Sequence, residues 1–200
     1  YDDAGNRLTK AEPGTTTVTY SYNSLGQLYQ SSGGLTRTYA YDVYGNQTEE
    51  KSGSNKVYEY AWDGSNRLIE AKIYSAGALQ DTLVFGYDDN DTRISKSVDG
   101  AATERHLTDY QNPTGYSQTI ALLDGTAAST QRDFVYGADL LAQRDASAEI
   151  STVHGDHLGS TRLLTASGGG KITGSDFDYS PYGEPIGDSL GSLTTYAFTG

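Results

Sequence analysis

His154, Asp156 and His157 form the one histidine-rich cluster of this chain, and His-x-Asp-His is a pattern from which a metal site can start. Residues three apart on a strand point to opposite faces, so only a tight turn would bring the two rings together. The plainer expectation is that Asp156 holds a turn while a histidine packs on a neighbouring repeat. Asp88-Asp89-Asn90-Asp91 offers oxygens for calcium, but the alternating spacing closed by a late Glu is absent, so it reads as an acidic, solvated turn. Ser160 lies near His157 without the context of a nucleophile elbow. Carboxylates are plentiful, yet nothing brings a particular pair to the separation that glycoside hydrolysis requires. We expect no catalytic residue, no metal ligand and no cofactor, and hence not an enzyme.

What recurs is a pentad: an aromatic, Asp or Asn, two free positions and a turn residue. Its copies are Tyr1-Asp2-Asp3-Ala4-Gly5, Tyr22-Asn23-Ser24-Leu25-Gly26, Tyr41-Asp42-Val43-Tyr44-Gly45, Trp62-Asp63-Gly64-Ser65-Asn66 and Tyr87-Asp88-Asp89-Asn90-Asp91. Near-constant intervals of about twenty residues mark an array in which one small unit is stacked on its copies. Asp or Asn at the first corner and Gly at the fourth predict a type I turn. The carboxylate can accept from backbone two residues on, and Gly tolerates a positive φ. Asn66 and Asp91 replace Gly with the next most tolerant residues.

Before each turn the sequence alternates. Val18, Tyr20 and Tyr22 share one phase; Tyr39 and Tyr41, then Tyr58, Tyr60 and Trp62, then Leu83, Phe85 and Tyr87 continue it. Residues two apart on a strand share a face, so each repeat carries an aromatic stripe. An apolar residue returns after the turn at Leu8, Leu28, Leu68 and Ile94. One repeat is then one hairpin, and stacked hairpins place aromatic beside aromatic. An ordinary β-sandwich also alternates, but it has no need of the same pentad at a fixed interval.

Composition agrees. With 24 Gly and 17 Tyr, the chain suits an extended sheet with many tight turns. A net charge of −12 argues against nucleic acid or an anionic membrane as partner. No run of apolar residues is long enough for a membrane-spanning helix, no secretion signal opens the chain, and the absence of Cys excludes disulfides and thiolate metal sites. The chain starts on the Tyr of a repeat, contains no Met and closes on Tyr196-Ala197-Phe198-Thr199-Gly200, which reads as strand followed by turn. A segment of a longer protein is expected.

Past residue 100 the repeat loosens. Phe134 and Tyr136 alternate before Gly137; Asp156-His157-Leu158-Gly159 spells another turn; Phe177 and Tyr179 precede Ser180-Pro181-Tyr182-Gly183. Gly168-Gly169-Gly170 reads as a flexible hairpin tip, with no helix after it to bind an anion. Tyr-Asp-x-x-Gly at this spacing resembles the YD repeat of RHS proteins. The likeness extends to Tyr136–Gln143, to His154-Gly155-Asp156-His157-Leu158-Gly159-Ser160-Thr161-Arg162-Leu163, to Tyr179-Ser180-Pro181-Tyr182-Gly183-Glu184 and to Tyr196–Gly200. Ser180 stands where that family usually has Asp, and Tyr182 where it has Phe.

The resemblance implies an all-β fold of stacked β-hairpin YD repeats forming a curved, twisted sheet, part of a hollow spiral shell. Residues 1–100 would be regular repeats, and 101–200 degenerate repeats leading to the RHS-associated core. It implies secretion or the cell surface, with the rest of the shell and an enclosed C-terminal toxin or effector as partners. The family's autoproteolytic aspartates lie beyond the last motif here, so no cleavage is carried over. Tyr22, Tyr41, Trp62 and Tyr87 are expected to lock neighbouring repeats, with Gly5, Gly26, Gly45, Gly159 and Gly183 as corners. The competing expectation is an extracellular adhesin or surface fibre whose regularly spaced Tyr and Trp bind glycans or a protein partner.

Overall fold

Alternating sequence broken by Asp, Asn and Gly every few residues leaves no stretch with helical spacing. In the computed structural model every regular element among the described residues is a strand. The described residues are 1–11, 14–126, 129–180, 183–186 and 193–198. No helix among them is long and apolar enough to cross a membrane. The chain divides into two units, Tyr1–Thr103 and Glu104–Gly200.

The first unit contains β1 (Thr9–Lys10), β2 (Val18–Tyr22), β3 (Leu28–Ser32), β4 (Arg37–Tyr41) and β5 (Gln47–Ser52). It continues with β6 (Asn55–Trp62), β7 (Leu68–Ser75), β8 (Ala78–Tyr87) and β9 (Arg93–Val98). Each strand pairs antiparallel with the next in sequence. From 5 residues in β2 the strands lengthen to 10 in β8.

Register fixes two unlike faces. Tyr39 opposes Glu50, Glu50 opposes Tyr58, and Tyr58 opposes Ile73; Tyr60 opposes Ala71, which opposes Leu83. On the other face Glu49 opposes Glu59 and Glu59 opposes Lys72. Like charges directly opposite one another destabilise a sheet. Lys56, bonded to Glu59 and 4.0 Å from Glu49, offsets that repulsion. Lys51–Glu49 and Lys72–Glu70 pairs complete a charged, solvated surface. Among the described residues of this unit, Ala71 is the one buried apolar side chain, so the aromatic stripe is half-buried and not a closed core.

The second unit is different. β10 (Ala101–Asp109), of which Glu104 onward belongs to this unit, β11 (Gln118–Asp124), β12 (Thr130–Tyr136), β13 (Leu140–Asp145), β14 (Ile150–Gly155), β15 (Thr161–Ala166) and β16 (Lys171–Asp176) again pair in sequence order. A small separate pair, β17 (Asp178–Tyr179) and β18 (Pro185–Ile186), follows. Val153, Leu164 and Phe177 form a buried cluster against which Leu140, Ile172, Tyr179 and Leu193 pack. The buried Ser175 hydroxyl lies 2.9 Å from the carbonyl of Leu164 and 2.6 Å from that of Ile172, so it has partners inside the core.

Residues 193–198 depart from the expected strand-then-turn. They form an irregular strap over this core. Gln143, 4% exposed, donates to the carbonyl of Leu193 at 2.5 Å and accepts from the Thr194 hydroxyl at 3.1 Å. The amide of Thr161 donates to the carbonyl of Ala197 at 2.9 Å. Tyr196 meets Phe134 edge-on at 5.0 Å, and its hydroxyl lies 3.0 Å from that of Tyr136. Phe198 packs on Tyr179 at 5.5 Å. Side-chain partners on several strands hold the strap, where a strand would need a continuous ladder on one neighbour.

Gly33 shows how close the hairpins run. It has φ +129°, and a Cβ there would lie 2.2 Å from the carbonyl oxygen of Thr17 and 2.7 Å from Cα of Val18. Gly26 has φ +76° with nothing within 4 Å. Gly26→Ala should therefore lower stability by about 1–2 kcal/mol through backbone strain alone. Gly33→Ala should lose about 3 kcal/mol or more by adding overlap with backbone that cannot yield. Urea denaturation of the two variants checks the order.

Candidate functional site

The pentads build one local structure many times. The amide of the first-corner residue donates to the carbonyl four residues on, and the amide of the fourth-corner residue donates back to it. Asn23 N to Gln27 O is 2.9 Å and Gly26 N to Asn23 O is 3.0 Å; Asp2, Asp42, Asp63, Asp88 and Asp156 repeat this pair of bonds. The fourth-corner residues all have positive φ: Gly5 at 84°, Gly26 at 76°, Gly45 at 93°, Asn66 at 59°, Asp91 at 60°, Gly159 at 86° and Gly183 at 81°. This is a type I turn followed by a left-handed residue, the three-residue hairpin loop.

The side chain at the first corner secures the loop. Oδ1 of Asp42 accepts from the amides of Tyr44 and Asn46, both at 2.9 Å. Asp2, Asn23, Asp63, Asp88 and Asp156 accept from the same two positions. The second carboxylate oxygen takes a side-chain donor: Asn6, Asn46, Arg67 and Arg162 supply it to Asp2, Asp42, Asp63 and Asp156. At Ser180 the hydroxyl accepts from the Glu184 amide at 3.2 Å, so the shorter residue retains part of the pattern. Pro181, Tyr182, Thr199 and Gly200 lie outside the described residues.

Each aromatic then reaches back to the preceding repeat. Tyr22 donates to the carbonyl of Arg7 at 3.0 Å, Tyr41 to Leu28 at 2.8 Å, Trp62 Nε1 to Gln47 at 2.8 Å and Tyr87 to Leu68 at 2.8 Å. Tyr179 donates to Thr161 at 3.0 Å. In all five the acceptor stands two residues past the previous corner residue. Tyr136, without a matching upstream corner, donates to Thr119 at 3.1 Å. Tyr1 is exposed.

A bulge makes the reach possible. Tyr22 pairs with Leu28 but Ser21 with Gln30; Tyr41 with Gln47 but Ala40 with Glu49; Trp62 with Leu68 but Ala61 with Glu70; Tyr87 with Arg93 but Gly86 with Ser95. One extra residue in the outgoing strand keeps the post-turn residue opposite the aromatic and then restores the alternation. Arginines add a second tie. Arg67 bonds Asp63 of its own turn and Asp91 of the next at 2.9 Å, and its guanidinium stacks 5.1 Å from the Tyr87 ring centroid. Arg162 joins Asp156 to Tyr179 in the same manner, at 5.3 Å. Asn46 donates to Asn66 of the following turn at 2.8 Å.

The remaining candidates resolve within this scheme. Asp88 and Asp91 are corners of one turn, and Arg67 lies against Asp91. Asp156 is a first corner and His157 the position after it, while His154 Nε2 is 2.9 Å from Thr165 Oγ1 on β15. No group of three or more His, Cys, Asp or Glu side chains is placed to hold a metal among the described residues. Two features escaped the sequence: the bulge, and a further turn at Asp145, which accepts from Ser147 and Glu149 with Ala148 at φ 65°. Asp145 lacks both the preceding aromatic and the glycine; only the Asp itself signals it.

The carboxyls of Asp2, Asp42, Asp63 and Asp156 are held below their ordinary value of 3.8. For Asp2 and Asp42 the leading cause is the side-chain amide of Asn6 or Asn46; for Asp63 it is the Arg67 amide, then its guanidinium. Burial pushes Asp156 up, but Arg162 and two backbone amides outweigh it. A depressed carboxyl adds stability above its unfolded pKa and loses it as pH falls through the folded one. Urea midpoints should thus hold at neutral pH and drop below about pH 4. Asn23 fills the same corner without charge, so Asp42→Asn should keep the fold and reduce that acid-dependent loss. Tyr41, raised by burial and half-buried, gives a third test. Tyr41→Phe should lose about 1 kcal/mol with its hydrogen bond, and Tyr41→Ala about 2–3 kcal/mol once half of an aromatic burial is added. Equal stability of the wild type and Tyr41→Phe would remove the hydroxyl from the lock.

No family model matches the chain, and no curated protein matches it. Among solved structures it is similar to a Tc holotoxin pore from Photorhabdus luminescens, at 17% identity and a TM-score of 0.37 over 86% of this chain. It is also similar to a TcdB2–TccC3 structure without its hypervariable C-terminal region, at 17% identity and 0.38 over 86%, and to TcdB2–TccC3–Cdc42, at 16% and 0.39 over 85%. The chain spans 12% of the length of each of these.

Proposed function

We propose that this chain is a structural wall segment of an RHS-type shell that encloses and protects a C-terminal polypeptide, a toxin or effector, in a secreted or surface-exposed protein. The observation that carries the reading is the regular tie from each aromatic to the carbonyl two residues past the preceding corner. It lets a single layer of hairpins be extended by repetition, and each bulge adds local twist of one hand. The unlike faces of the first unit, one aromatic and one charged, suit a wall that meets different surroundings on its two sides. On this reading the segment performs no chemistry, and its turn carboxylates serve the fold.

Limited proteolysis of the full-length parent tests it. Everything C-terminal to Gly200 should survive while the repeats are folded and be digested once they are denatured. Rapid loss of that segment beside intact repeats would leave an open scaffold, and the adhesin reading would replace containment.

A further inference from the structure

The first unit has a cleft of about 460 Å³ lined by Tyr41, Tyr60 and Trp62 together with Gly45, Asn46, Gln47 and Leu68. Three of its polar side chains are already engaged. The Tyr41 hydroxyl donates to Leu28, the Trp62 indole to Gln47, and the Asn46 amide to Asp42 and Asn66. What the slot offers is ring faces. An apolar side chain needs only those faces.

The second unit shows the corresponding residues occupied. Tyr179 and Gly183 hold the same places in their repeat as Tyr41 and Gly45: the hydroxyl of Tyr179 reaches the preceding carbonyl, and Gly183 is the positive-φ corner. There the ring of Phe198 lies over Tyr179 and against Gly183, where a Cβ would meet it at 2.5 Å. Two residues earlier, Tyr196 lies against Phe134. At Gly45, by contrast, only the Gln27 amide nitrogen comes within 4 Å of a Cβ position, so Trp62 stands across the cleft without filling it.

We infer that the Tyr41–Trp62 cleft binds an extended polypeptide segment carrying aromatic residues two apart, seated as residues 193–198 are seated in the second unit. Alternate residues of an extended segment face one way, so one ring enters the cleft while the other covers the neighbouring stripe. The inference stands apart from containment, since a wall can enclose a chain that it does not grip.

Trp62 is the one tryptophan of the chain and sits in the cleft wall, so its emission reports this site alone. The probe is the capped hexapeptide Leu-Thr-Thr-Tyr-Ala-Phe, titrated into the intact chain with excitation selective for tryptophan. A saturable change in Trp62 emission is expected. Replacing both peptide aromatics by Ala should weaken binding at least about tenfold. Tyr60→Ala in the protein should weaken it too, and cellohexaose should give no response. No saturable change with the peptide, or an equal change with its Ala version, would overturn the inference. A response to cellohexaose and not to the peptide would overturn it in favour of a glycan site. Protection of the downstream polypeptide from protease is read separately, so either reading can fail while the other stands.

Discussion

A sheet one layer thick has no opposing layer to bury against, and that constraint governs the first unit. Backbone ladders hold neighbouring strands but say little about how one hairpin sits on the next, because they are alike at every register. Here the specific tie is a phenol or indole donating to a carbonyl just past the preceding corner. The aromatic must lie at the end of its strand, the acceptor at the start of another, and the turn between them must have one length. In the first unit that bond goes together with the Asp or Asn corner, the positive-φ residue and the bulge in their observed places. The arginines and Asn46 reinforce it from the rim.

The two units meet the burial problem in different ways. In the first, the striped aromatics are half-buried, Ala71 is the one buried apolar side chain among the described residues, and the charged face is neutralised by lysines that pair mostly along their own strands. In the second, Leu193 packs on Val153, Leu164 and Phe177, and the Ser175 and Thr194 hydroxyls and Gln143 find partners inside. An apolar cluster closed by its own chain can dispense with strict repetition.

Much of this was legible in the sequence. The corner positions, including the exchange of Gly for Asn66 and Asp91, follow from which residues tolerate a positive φ. The aromatic stripe follows from period two. The acceptors were not legible, because a carbonyl is common to every residue: Arg7, Leu28, Gln47, Leu68 and Thr161 share nothing except their place. The bulge was hidden for the same reason, as Tyr29, Thr48 and Ile69 have ordinary strand chemistry. Tyr196 and Phe198 alternate as a strand would, and whether such a segment pairs or crosses depends on Gln143, Tyr136 and Thr161, which are distant in sequence. Ala148 at positive φ contradicts its own preference and was invisible on that account.

The tie from aromatic to carbonyl always points toward the N-terminus. For this tie a repeat needs only what has already been made, while Asn46 and Arg67 add their bonds to the following turn afterwards. Pairing between sequential neighbours keeps the contacts local, and local contacts close quickly. A chain emerging from the ribosome could add hairpins one at a time, each new tyrosine fastening onto a finished edge. Such growth has a direction built into its chemistry, in the way a zip closes from one end.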